Sequence, residues 1–171
     1  MIMLSKVFTS EACAKCRLCC NFCRASVWET PALDEAEAKE LSVRGAPVVR
    51  RGDAWTIRLD FKDDAADAVA DCPLLDRARG CTLDAEHRPF ECRIWPLRLM
   101  RDEEGCVFVA GYRNCPALAG GNWQRLVDLV KGELAGVLSE RARNHPENIR
   151  PFHPAYEKIV DLKRDTSTRV R

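Results

Sequence analysis

The stretch that decides the fold is Cys13-Ala14-Lys15-Cys16-Arg17-Leu18-Cys19-Cys20-Asn21-Phe22-Cys23, which holds five of the chain's ten cysteines within eleven residues. The other five lie farther along the chain, at Cys72, Cys81, Cys92, Cys106 and Cys115. A single cysteine is more often a small buried apolar residue than a ligand, but that explanation fails for so dense a group. Thiols separated by two residues can turn toward one metal ion or cluster. We therefore expect these cysteines to bind metal.

The redox state of the thiols depends on the compartment. Residues 1–8 contain too short an apolar run for the central region of a signal peptide. No stretch approaches the roughly 20 apolar residues that cross a bilayer. We therefore expect a cytoplasmic protein with no membrane association, in which thiols stay reduced and structural disulfides are rare.

Length and charge limit the remaining possibilities. The chain has 171 residues, which suits one domain of ordinary size. Its 27 basic and 26 acidic residues leave a formal net charge of +1. Such a balance produces no overall field that attracts nucleic acid, so we expect no nucleic-acid partner.

Two helices are predicted. Asp34 and Glu37 form a capping-box pattern that begins a helix over 33–44, and Gly45 ends it. Apolar residues with helical spacing predict a longer helix over 122–143. We expect both helices to cover the metal-binding core.

Two hairpins are also predicted, over 47–61 and over 97–112. The second arm of the first alternates apolar and polar residues through Phe61, as a half-buried strand does. Residues 62–70 are interpreted as a short helix or loop, and residues 72–92 as largely irregular.

These elements predict an α+β fold, a small irregular metal-stabilised single domain with short hairpins and covering helices. We expect the domain to span 1–145, including the helix over 122–143, and an extended C-terminal tail to follow over 146–171.

The spacing of the first thiols favours an iron–sulfur cluster. Three corners of a [4Fe–4S] cluster are commonly bound by a Cys-x2-Cys-x2-Cys run, with a distant Cys-Pro supplying the fourth. Cys13, Cys16 and Cys19 have this spacing, and the distant pairs are Cys72-Pro73 and Cys115-Pro116. Zinc sites more often take two separated pairs of ligands, so zinc is the alternative.

An ordered series of motifs resembles the YkgJ-like cysteine-cluster proteins, a family described as a zinc- or iron-chelating domain. The resemblance covers roughly residues 11–118. Its motifs are the run from Cys13 to Cys20, Cys72-Pro73-Leu74-Leu75, Gly80-Cys81-Thr82-Leu83, Arg88-Pro89-Phe90-Glu91-Cys92-Arg93-Ile94-Trp95-Pro96 and the later Cys115. This chain departs from the family pattern at Asp84, where an aromatic residue is usual, and by one extra residue before Arg88.

The resemblance implies eight ligands, which are Cys13, Cys16, Cys19, Cys20, Cys72, Cys81, Cys92 and Cys115. Cys23 and Cys106 lie outside these eight and are candidates for extra ligands or for buried thiols. The larger flagellin lysine methylases are similar over the cysteine region and are linked to an iron–sulfur cluster. Their methyl transfer is not carried over, because no strand–glycine-loop–helix here suggests a site for a methyl donor.

Arginines near the cysteines are candidate cofactor-binding residues. Four thiolates around zinc, or an oxidised cubane, leave a net charge of about −2, which Arg88 and Arg93 could offset. The alternative is that both are solvated surface charges. His87, His145 and His153 lack a diagnostic spacing from a cysteine pair and are interpreted as ordinary imidazoles.

Three functions fit the sequence. The first is an iron–sulfur protein with a redox or accessory role, acting with a protein partner. The second is a structural zinc module that mediates protein–protein interaction. The third is an iron–sulfur-dependent protein-modifying enzyme or its subunit. The sequence identifies no catalytic residue.

Overall fold

The structure is a computed structural model that describes Leu4, Lys6, Val7 and residues 16–162. The strands within these residues are β1 (Asn21–Cys23), β2 (Val48–Arg51), β3 (Ala54–Ile57), β4 (Val69–Asp71), β5 (Leu75–Asp76), β6 (Gly80–Cys81), β7 (Leu97–Arg101), β8 (Val107–Gly111), β9 (Ile149–Pro151) and β10 (Glu157–Asp161). The α-helices there are α1 (Glu35–Val43), α2 (Phe90–Ile94), α3 (Asn122–Leu129) and α4 (Ala135–Asn144). The predicted α+β class is confirmed.

The largest sheet has four strands in the order β10-β8-β7-β9. β7 and β8 form the predicted second hairpin, with Leu97 opposite Gly111. β10 joins β8 in the antiparallel sense, whereas β9 runs parallel to β7. The hairpin therefore lies at the centre of the sheet, and the C-terminal segment supplies both of its edges.

The expectation of an extended tail from residue 146 is corrected for residues 149–161. These residues form β9 and β10, and Ile149 and Ile159 pack against the main core. The proline in the first of these strands made it difficult to predict from the sequence. Pro151 lies at the end of an edge strand, where the missing N–H breaks no ladder. Residues 163–171 lie outside the described part of the chain.

The predicted long helix is confirmed, with an interruption. A π-helical segment, Val130–Leu134, separates α3 from α4. The three segments together present fully buried side chains, among them Leu126, Val130 and Leu138, to the main core on the four-stranded sheet. The apolar spacing predicted which face of the helix is buried, but it did not indicate the π-helical segment.

The predicted first helix and first hairpin form a second, smaller core. Asp34 Oδ1 accepts a hydrogen bond from Glu37 N at 2.8 Å, and Glu37 Oε2 accepts one from Asp34 N at 3.1 Å. The hairpin pairs β2 with β3, but β3 ends at Ile57 instead of reaching residue 61. Strict alternation also fails, because buried Thr56 donates to Thr30 Oγ1 at 3.0 Å.

The stretches expected to be irregular contain short elements. Residues 62–70 end in β4, and the segment from 72 to 92 contains β5, β6 and the start of α2. No helix in the described part of the chain is long and apolar enough to span a bilayer.

A buried carboxylate joins the two cores. Glu91 of α2 is 1% exposed and accepts hydrogen bonds from Ala32 N at 2.8 Å, Arg98 Nη1 at 3.1 Å and Arg150 Nη2 at 3.2 Å. These partners come from the loop before α1, from β7 and from β9. One side chain thus connects α2 with three other segments, two of which are distant from it in sequence.

Packing of the long helix on the sheet predicts opposite effects for two glycines. A Cβ at Gly111 would lie 2.9 Å from the ring of Trp123, so Gly111→Ala should lower the free energy of unfolding by about 1–3 kcal/mol. Gly136 in α4 has open space around it, so Gly136→Ala should raise stability by up to about 1 kcal/mol. Urea unfolding of both variants measures the difference. Equal stability would contradict this packing.

Candidate metal centre

The N-terminal thiols lie on a tight turn before β1. Arg17 has φ 55°, in the left-handed region that non-glycine residues rarely adopt. Its carbonyl accepts a hydrogen bond from Cys20 N at 2.9 Å, which closes the turn. The Sγ atoms of Cys19 and Cys20 are 4.0 Å apart. The turn therefore brings both thiols of this vicinal pair to the same end of β1.

The pairing of β1 with β4 connects this turn to the middle of the chain. Asn21 lies opposite Asp71, so Cys20 just before β1 lies opposite Cys72 just after β4. Cys72 N donates to the Cys20 carbonyl at 2.7 Å. Two cysteines that are 52 residues apart in the sequence are thereby neighbours through the backbone.

A second short ladder brings Cys81 to the same region. Leu75 N donates to the Cys72 carbonyl at 2.9 Å, and Leu75 pairs with Cys81 across β5 and β6. Cys72 and Cys81 are both half-buried and pack against the smaller core. Cys81 is close enough to Cys72 to contribute to raising the pKa of the Cys72 thiol.

Cys92 belongs to α2 and completes the group. Its thiol interacts electrostatically with Cys19, Cys72 and Cys81. Cys92 has solvent-accessible surface, yet burial dominates its electrostatics. Cys92 is therefore an exposed residue whose thiol still has protein groups close to it.

The environment opposes ionisation of these thiols. The hydrogen bond with Cys20, followed by burial, raises the pKa of Cys19. Burial, with smaller contributions from Cys81 and Cys19, raises the pKa of Cys72 to about 11. Burial also raises the pKa of Cys92 well above its ordinary value. Four thiolates in one place therefore require a compensating positive charge, which a bound metal would supply.

The two arginines predicted to bind the cofactor differ in their surroundings. Arg88 Nε donates to the Leu83 carbonyl at 3.1 Å, and its charge acts on Cys19 to lower that thiol's pKa. Arg93 follows Cys92 in α2, and its buried Nε has no hydrogen-bond partner within the described residues. A buried donor in this state is suited to bonding a sulfur atom.

Other predicted ligands lie apart or outside the description. Cys13 is outside the described residues. Cys16 lines an open depression of about 280 Å³, together with Arg17, Asp71 and Arg77. Cys115 is buried in the main core, beside the sheet. None of these positions decides whether the residue is a ligand.

The two cysteines outside the predicted eight have their own local contacts. Cys23 Sγ donates to the Ala66 carbonyl at 3.2 Å, at the opposite end of β1 from Cys20. Cys106 lies in the β7–β8 turn, where its N–H donates to Asp102 Oδ1 at 2.7 Å. Both contacts are compatible with cysteines that serve no metal.

The histidines contribute to surface and loop contacts. One possible ligand atom from each of His145, Asp34 and Glu147 lies within 4.8 Å of the other two, so these side chains could hold a metal ion. Arg141 already pairs with Asp34 at 3.1 Å, so a cation is present there in the form of a guanidinium. His153 stacks on Trp28 with ring centroids 5.0 Å apart.

Comparisons with known proteins leave the resemblance as a prediction. No family model, no curated protein and no solved structure matches this chain.

One residue of the site was missed by sequence reasoning. Arg98 was assigned only to a predicted strand, yet its side chain is 5% exposed and its charge acts on Cys92. The signal that could have found it is its distance from Cys92. Arg98 follows Cys92 by six residues, so its side chain can reach back from β7 to α2, the helix that carries this thiol.

The left-handed turn between Cys16 and Cys19 predicts a difference between two replacements of Arg17. Both Arg17→Asn and Arg17→Val remove the guanidinium, but only asparagine tolerates the left-handed region. The free energy of unfolding of the Arg17→Val variant should therefore be lower than that of Arg17→Asn by about 1–2 kcal/mol. Urea unfolding under reducing conditions measures this difference. Equal stabilities would show that residue 17 is free to leave the observed conformation.

Proposed function

We propose that this chain is a [4Fe–4S] protein with a redox or accessory role. The observation that carries the proposal is the proximity of Cys92 to Cys19, Cys72 and Cys81, which the β1–β4 and β5–β6 ladders bring to one region. These thiols come from three segments of the chain that β1–β4, β5–β6 and α2 bring together. Buried thiols have no mutual attraction of their own, so a bound cation or cluster is the simplest reason for this grouping.

These four cysteines are our leading ligand set. The choice differs from the spacing argument, which gave three corners to Cys13, Cys16 and Cys19. The remaining members of the predicted eight are Cys13, Cys16, Cys20 and Cys115, and they stay predicted ligands without an assigned centre. The resemblance to the cysteine-cluster family supports the larger set of eight.

The separations of the thiols favour a cluster over a single zinc ion. Tetrahedral zinc with bonds of about 2.3 Å needs thiolates about 3.8 Å apart. No three thiols in the described part of the chain lie within 4.8 Å of one another. A cubane is larger than one ion and is bound by thiolates that are farther apart. Zinc is the second candidate, because Cys19 and Cys20 at 4.0 Å fit one edge of its tetrahedron.

Buried arginine side chains suit the negative charge of an iron–sulfur cluster. An oxidised cubane with four thiolates carries about −2, and Arg88 already acts on Cys19. The unpartnered Nε atoms of Arg93 and Arg98 are donors available to its sulfurs. When bound, the cluster would supply one-electron chemistry. This chain's residues would bind it and offset its charge.

The partner that we propose is another protein in a reducing, cytoplasmic setting. It would be either a redox protein or a protein whose modification the cluster supports. A role as an iron–sulfur-dependent modifying enzyme, or as its subunit, is an extension that needs a substrate site. No nucleic acid is proposed, since the 27 basic residues are nearly balanced by 26 acidic ones.

Anaerobic purification tests the proposal directly. Iron, zinc and acid-labile sulfide would be measured together in the same sample. Iron with an equal amount of sulfide, and a brown colour that bleaches with dithionite, are expected. A colourless protein with stoichiometric zinc would overturn the iron–sulfur proposal in favour of zinc. A protein that contains neither iron nor zinc would overturn both the iron–sulfur proposal and the zinc alternative.

Replacement of single cysteines tests the ligand set. Cys92→Ser should remove at least half of the bound iron and sulfide, because serine replaces one of the four proposed thiolate ligands. Cys23→Ser is the matched control and should keep the wild-type content, because that thiol bonds to Ala66. Equal losses in the two variants would argue against this set. Circular dichroism would confirm that both variants are folded.

Removal of the metal should weaken the whole domain. A centre that joins Cys19 to Cys92 closes a loop of more than 70 residues, which stabilises by roughly 4 kcal/mol in the analogous case of a disulfide. For a chain of this length, the melting temperature should fall by about 10 °C. Anaerobic calorimetry before and after chelation measures the change. An unchanged melting curve would contradict a structural role for the metal.

A further inference from the structure

We propose that Arg98 is a positioning residue that sets the reduction potential of the cluster, with Glu91 opposing it. The inference rests on the proposed function and adds to it a specific source of electrostatic control. It assigns the buried Glu91–Arg98 pair a role in electron transfer in addition to its role in the fold.

The guanidinium of Arg98 is fixed in the interior. Its Nη1 donates to Glu91 Oε2 at 3.1 Å, and its Nη2 donates to the Glu29 carbonyl at 2.7 Å. Its Cζ lies 5.1 Å from the ring centroid of Trp95. Its Nε is buried and has no hydrogen-bond partner within the described residues, and the Tyr156 hydroxyl lies close enough to raise the pKa of Arg98. A buried donor without a partner is uncommon and could serve a bound group.

The position of Arg98 relative to the thiols follows from its contact with α2. Glu91 is the residue directly before Cys92, so the salt bridge holds the guanidinium against the helix turn that carries the thiol. The charges of Arg98 and Cys92 act on each other in both directions. Because the Arg98 guanidinium is buried, salt screens its charge less than it would screen a surface charge.

The need to neutralise the Glu91 carboxylate does not by itself explain why Arg98 is buried beside it. Glu91 also accepts hydrogen bonds from Ala32 N and Arg150 Nη2, so it has a second guanidinium within reach. Two guanidiniums around one buried carboxylate leave an excess of one positive charge. A buried ion pair contributes little to stability by itself. An anionic cluster beside Cys92 would use this excess charge.

The sign of the effect follows from the charge change on reduction. One electron from a low-potential donor enters the cluster, no bond breaks, and the cluster becomes more negative by one charge. A fixed positive charge stabilises that reduced state more than the oxidised one. Arg98 therefore raises the reduction potential, and the Glu91 carboxylate lowers it.

Midpoint potentials of the iron–sulfur holoprotein provide the test. The cluster is titrated anaerobically with dithionite in the wild type, Arg98→Gln, Arg98→Lys and Glu91→Gln. Arg98→Gln should disfavour reduction at least tenfold, a fall of about 59 mV for one electron. Glu91→Gln should shift the potential upward, and Arg98→Lys should stay near the wild type. Arg101→Gln, an exposed position on the same strand, is the matched control and should change little.

The opposite signs distinguish charge control from simple damage to the fold. Both Arg98→Gln and Glu91→Gln disturb the same buried network, so a purely structural effect would move both potentials in one direction. That result, or no shift in either variant, would overturn the inference. If Arg98→Gln does not fold, the upward shift in Glu91→Gln still decides. A wild-type protein without a cluster would instead refute the proposed function, before any variant is compared.

Discussion

The buried carboxylate of Glu91 is the contact on which the rest of the structure depends. It accepts hydrogen bonds from Ala32, Arg98 and Arg150, which belong to a loop, a central strand and an edge strand. A charge in the interior is tolerated only when it is paired and hydrogen-bonded, so these segments must meet at one point. Because Cys92 follows Glu91 in the same short helix, the requirement that joins the two cores also fixes a thiol of the candidate centre.

The candidate centre illustrates how small elements can position distant ligands. β1 and β4 have three residues each, and β5 and β6 have two. Each ladder fixes only a register, but the registers bring Cys72 opposite Cys20 and Cys81 opposite Leu75. A pair of such short strands is marginal in water without further contacts. The thiol region therefore depends on the cores beside it and, under our proposal, on metal.

Much of the fold could be predicted from local patterns, because each signal lay in contiguous residues. The capping box at Asp34 and the apolar stripe around Leu126 are signals of this kind. β9 and β10 could not be predicted in this way, because they are edge strands that depend on partners far away in the sequence. The same reason explains Arg98, whose importance arises from a contact across the fold. The cysteine spacing and the strand registers group different thiols, Cys13, Cys16 and Cys19 in the first case and Cys20, Cys72 and Cys81 in the second.

The position of the edge strands has a consequence for synthesis. Every cysteine of the chain precedes residue 116, whereas β9 begins at Ile149. A polypeptide emerging from the ribosome thus presents its complete set of thiols while the β7–β8 hairpin still has two unpaired edges. During that interval the sulfurs are open to oxygen, and under our proposal delivery of the right metal has to compete with oxidation and with unwanted metals.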